Sequence, residues 1–89
     1  MPYIDVNARE RLGEINSVPE NAGELNYVIT QLLDDYIARK GGLKYTLLNE
    51  VIGVMECAKL EIYRRLISPY EDSKVLENGD VYHKSKSSL

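Results

Sequence analysis

The stretch that decides the fold is Asn21-Ala22-Gly23-Glu24-Leu25-Asn26-Tyr27-Val28-Ile29-Thr30-Gln31-Leu32-Leu33-Asp34-Asp35-Tyr36-Ile37-Ala38-Arg39-Lys40-Gly41-Gly42. It opens on a capping box. The Asn21 side chain can accept from a backbone N–H three residues on, and Glu24 can reach back. Leu25, Val28, Ile29, Leu32, Leu33, Tyr36 and Ile37 then recur at helical spacing, so they share one face. Asn26, Thr30, Gln31, Asp34 and Asp35 lie elsewhere around the turn. Arg39 and Lys40 complement the negative end of the helix dipole, and Gly41-Gly42 stops the helix. The spacing predicts a helix over 22–40.

Beyond the glycines a second helix is expected over 46–67, with Thr46 as N-cap and Ser68-Pro69 ending or kinking it. Leu47, Leu48, Val51, Ile52, Val54, Met55, Ala58, Ile62, Tyr63 and Leu66 occupy about half its circumference, wider than the stripe a surface helix needs. This helix is therefore expected at the centre of the core. Gly53, Cys57, Leu60 and Ile67 form a thinner seam on its other side, which either the terminal segments or a second subunit would cover. The short link predicts an antiparallel helical hairpin. A lone hairpin leaves half its apolar surface wet, so two copies should pair as a four-helix bundle or larger homo-oligomer.

Short elements flank this pair. Asp5 can cap a helix over Val6–Leu12, and Gly13 and Pro19 bracket a connector. Ser68-Pro69-Tyr70-Glu71 is a second capping pattern with Pro at the first helical position, and Asn78-Gly79 fits a stop. A third helix over about 70–77 is favoured, a hairpin around Asn78-Gly79 being the alternative. The whole reads as one all-α domain over 1–82, with 83–89 a flexible polar tail.

Composition narrows the chemistry. The chain has 89 residues and a formal net charge of −3. The first 43 residues carry the whole excess of acid, which argues against an indiscriminate DNA binder. One cysteine, Cys57, and one histidine, His83, cannot form an internal disulfide or a Cys/His zinc site. No metal site, cofactor or catalytic set is expected. No apolar run spans a membrane and no signal peptide is visible, so a soluble, cytoplasmic protein is expected. All seven aromatic residues are Tyr, which suits polar-edged junctions better than a single aromatic site.

Three constellations could carry function. Tyr63-Arg64-Arg65 with Pro69-Tyr70 offers guanidiniums for phosphate or carboxylate and Tyr rings for stacking, so Tyr63, Arg64, Arg65 and Tyr70 are the ligand candidates. The plainer alternative is that these arginines complement the helix end or pair with Glu61. Asn78, Asp80 and Tyr82 are second-choice candidates in an acceptor-rich turn. The alternative there is a helix stop with an anchoring Val-Tyr. Glu50, Glu56 and Glu61 lack the Glu-x-x-Glu spacing of helical magnesium pyrophosphatases, so solvated faces are the better reading.

The stretches Pro19-Glu20-Asn21-Ala22-Gly23-Glu24-Leu25-Asn26-Tyr27, Ala58-Lys59-Leu60-Glu61-Ile62-Tyr63-Arg64-Arg65, Pro69-Tyr70-Glu71-Asp72 and Glu77-Asn78-Gly79-Asp80-Val81-Tyr82 resemble a family of short uncharacterised proteins of phages and prophages. The resemblance implies a small accessory protein in a bacterial host cytoplasm. Three expectations follow. The first is a non-enzymatic protein that binds or sequesters an anionic, nucleotide-like small molecule. The second is an interaction module that blocks a host or phage protein. The third is a metal-dependent nucleotide hydrolase.

Overall fold

The computed structural model describes residues 2–83. Among them the regular structure is all helical, with no strand. The elements are α1 (Val6–Leu12), α2 (Ala22–Arg39), α3 (Tyr45–Ile62), a π-helical segment (Tyr63–Ile67) and α4 (Ser68–Asn78). The chain divides into two compact units, Met1–Cys57 and Ala58–Leu89. No helix among the described residues is long and apolar enough to cross a membrane. The tail expected over 83–89 lies, beyond His83, outside the described residues.

In the first unit, local chemistry sets the helix ends. Asp5 Oδ1 accepts from the Ala8 N–H at 2.8 Å and starts α1, and Gly13, at φ 70°, ends it. Asn21 Oδ1 accepts from the Glu24 N–H at 2.9 Å. The return arm of the box differs from expectation: Glu24 Oε1 accepts from the Glu20 N–H at 3.0 Å, one residue before the cap. The Asn21 arm satisfies one donor that the first helical turn leaves unpaired, and the Glu24 arm ties the incoming chain at Glu20 to that turn. At the other end of α2 the Gly42 N–H donates to Ile37 O at 2.9 Å. Gly42 has φ 82°, a left-handed conformation that a Cβ would strain. Thr46 is not the cap of the next helix. α3 starts at Tyr45, and Lys44 O accepts from the Leu48 N–H at 2.9 Å.

The largest departure from expectation is the core. Among the described residues only Leu47 and Val51 are buried, at 8% and 6% exposure. Ile29, Leu33 and Ile37, at i, i+4 and i+8 on α2, are half-buried. The remainder of the wide apolar band on α3 is exposed, from Leu48 through Ile52, Val54 and Met55 to Ile62. Helical periodicity creates an apolar face, but it does not supply the surface that covers it.

In the second unit the helix does not break at Ser68-Pro69. It passes from the end of α3 through the π segment directly into α4. The Ser68 N–H donates to Tyr63 O, five residues back. An α-helical turn would press the Pro69 ring against the carbonyl of Arg65, four residues earlier. The wider π turn relieves that clash, so the proline changes the winding without ending the helix. The third helix is accordingly Ser68–Asn78, longer than the 70–77 expected. Gly79, at φ 88°, closes it, and its N–H donates to Val75 O at 2.8 Å. The strand hairpin around Asn78-Gly79 does not form.

Candidate functional site

The first unit presents an apolar groove of about 280 Å³. Leu32, Leu33 and Tyr36 of α2 and Glu50, Val51 and Val54 of α3 line it. Its floor is the buried Val51, and Glu50 is the charged residue on its wall. Leu32 stands 67% exposed at the lip. The Lys40 ammonium lies over the Tyr36 ring, 5.9 Å from its centre, a favourable cation–π placement. Beside the groove, Asp34 and Asp35 with Gln31 form a polar hollow, and Asp35 Oδ2 pairs with Arg39 Nε at 2.9 Å. The sequence places these apolar residues on facing helix stripes and expects part of that surface to lie open in a lone hairpin. The width of the apolar band on α3 was the signal that they face more than one neighbour.

The arginine–tyrosine cluster lies in the second unit. Tyr63, Arg64 and Arg65 sit on the π segment and Tyr70 on the first turns of α4. Tyr63 and Tyr70 are both exposed. Arg64 Nη2 donates to Glu61 Oε1 at 2.7 Å, and Glu61 is the more sheltered partner. One guanidinium of the predicted anion site is thus already held by a carboxylate of the same chain. Lys74 lies 5.6 Å from the centre of the Tyr70 ring and 3.3 Å from Glu77 Oε2, so it brings a further cation beside Tyr70.

The turn after α4 brings the second-choice residues together. Asn78, Asp80 and Tyr82, with Glu71, Lys74 and Val75, line a hollow of about 280 Å³. Asp80 Oδ1 accepts from the Tyr82 N–H at 2.8 Å, an Asx-type turn that folds the chain after Gly79. The helix stops here, but Val81 and Tyr82 are 84% and 69% exposed, so the Val-Tyr pair does not act as a packed anchor.

The seam residues are largely open. A Cβ at Gly53 would meet nothing within 4 Å. Cys57 is an exposed free thiol, Leu60 is exposed, and Ile67 is half-buried in the π segment. Among the described residues no group of three or more His, Cys, Asp or Glu side chains could hold a metal ion.

No curated protein and no solved structure matches the chain significantly. A family model does match, over residues 1–81, which takes in both helices of the groove, the π segment and α4. The chain belongs to the DUF6899 family, a domain of unknown function.

Proposed function

We propose that the chain is a non-enzymatic protein-interaction module whose α2–α3 face takes helices of a protein partner. In this reading the two helices form an antiparallel hairpin, and the partner completes a four-helix bundle around it. The observation that carries the proposal is the mismatch between pattern and burial: two apolar stripes, with two buried residues between them. Leu32 and Ile52 are each 67% exposed. Leaving both in water forgoes roughly 2–4 kcal/mol of burial free energy, a large share of a total stability of about 5–15 kcal/mol. Leu32, Tyr36 and Val54, all exposed, adjoin one another around the groove, and contiguous exposed apolar surface marks interaction sites. The resemblance to phage proteins makes a host or phage protein the natural class of partner.

A second reading keeps the anionic, nucleotide-like ligand at Tyr63, Arg64, Arg65 and Tyr70. The π turn under these residues favours it, since π segments recur at functional sites, and Lys74 adds charge beside Tyr70. The pairing of Arg64 with Glu61 counts against it.

A thermal-shift screen with mono-, di- and cyclic nucleotides, run on wild type and on Leu32→Glu, separates the readings. The interaction reading expects no nucleotide to raise Tm. It also expects a protein partner that wild type retains and Leu32→Glu loses. A nucleotide shift that disappears in Arg65→Ala and survives in Leu32→Glu would establish the second reading in its place.

A further inference from the structure

Resting on the interaction reading, we propose that the occupant of the α2–α3 face is a second copy of this chain, docked about a two-fold axis with the two α2 helices antiparallel. The α2 surface is self-complementary in that arrangement. Leu25, Val28, Leu32 and Tyr36 are all exposed and recur three, four and four residues apart, which makes one narrow seam along the helix. Place the axis beside Thr30 and Gln31, midway along that seam. Leu25 then lies within one residue of the level of the partner's Tyr36, and Val28 within one residue of the level of the partner's Leu32. Each small position meets a larger one, and the same contacts form twice, as a two-fold interface requires.

Charge supports the same register. Glu20 and Glu24 stand at the start of α2, and Arg39 and Lys40 at its end. An antiparallel pair brings each acidic start beside a basic end, whereas a parallel pair would set like charges together. Arg39 is paired with Asp35 on its own helix. Lys40 lies over Tyr36, on the seam itself, where it would meet the partner's Glu20 or Glu24. A foreign partner would need to reproduce both the apolar spacing and the charge order. The chain already carries them.

The test is sedimentation equilibrium on the full 89-residue chain, with circular dichroism to confirm that each variant stays helical. Wild type should sediment at twice 10.1 kDa. Leu32→Glu should weaken association by at least about tenfold while remaining helical, because it buries a charge in the middle of the contact. Lys40→Glu should weaken it less, and adding Glu20→Lys should restore it. The register is read by mixing a Val28→Cys chain with a Leu32→Cys chain, both with Cys57→Ser, and oxidising. A mixed disulfide dimer supports the antiparallel seam. A wild-type chain that is helical and monomeric at tens of micromolar overturns the proposal and leaves the interaction reading to a different protein. A dimer indifferent to Leu32→Glu, or one with no mixed disulfide, overturns the seam. If Leu32→Glu unfolds, the disulfide decides alone.

Discussion

Replacing Pro69 with Ala should convert the π segment to α-helix and stabilise the second unit. At present the Ser68 N–H reaches Tyr63 O, five residues back, and Pro69 follows at the start of α4. Proline in a helix interior costs about 3 kcal/mol relative to Ala, from its missing N–H and its ring's clash with the carbonyl four residues earlier. The π turn has already relieved part of that cost. The substitution also frees the unfolded chain, which offsets the gain by about 0.4–1 kcal/mol. The net expectation is stabilisation of roughly 1–2 kcal/mol.

The substitution also changes geometry. A π turn accommodates an extra residue, so closing it to α winding turns α4 by about 100° relative to the helical residues preceding Tyr63. Tyr70 and Lys74 would then move around the helix relative to Arg64 and Arg65. Urea unfolding followed by circular dichroism measures the stability change, and amide exchange at Ser68 with backbone chemical shifts over 62–70 reads the winding. If the π pattern at Tyr63–Ile67 persists in Pro69→Ala, the proline is not its cause. The π turn would then need another origin in the residues of the segment itself.

Other expectations follow from single contacts. Asn21→Ala removes the acceptor for the Glu24 N–H and should cost about 1 kcal/mol in urea unfolding, with Asn21→Ser largely neutral. Gly79→Ala forces a Cβ into φ 88°; a loss of roughly 1 kcal/mol, with fraying of the last turn of α4 by amide exchange, is expected. Glu61→Gln, which weakens an exposed ion pair to Arg64, should change stability by less than about 1 kcal/mol. If a nucleotide binds at the π segment, the same change should tighten it, since a competing carboxylate is gone.

Much of the helical layout is legible in the sequence because it rests on local chemistry. Asp5, Asn21 and Glu24 act within a turn of themselves, and Gly13, Gly42 and Gly79 occupy left-handed conformations that other residues resist. The π segment was not legible. Pro69 announces that an ordinary α turn cannot continue, and it is silent on whether the chain stops, kinks or widens. Widening keeps Tyr63-Arg64-Arg65 and Tyr70 on one unbroken helical run. The candidate residues are neighbours in sequence, while their placement around the helix depends on a winding that residue patterns do not encode. The groove was half legible: its apolar residues and a wet face stood out, while which of them line the groove and how few are buried did not.

That half-legibility has a physical cause. A stripe such as Leu25, Val28, Leu32 and Tyr36 records that the residues need cover, and the same stripe would serve a core or an interface. What separates the two is the supply of covering surface. The first unit offers α2, the opening turns of α3 and the short α1, which has no buried residue of its own. α3 is apolar on both flanks of the buried Leu47–Val51 line, with Val54 towards the groove and Ile52 away from it. One helix can cover one flank. Both flanks of α3 stay apolar and charge runs from acidic to basic along α2, which is the pattern that the proposed docking of another helix pair requires.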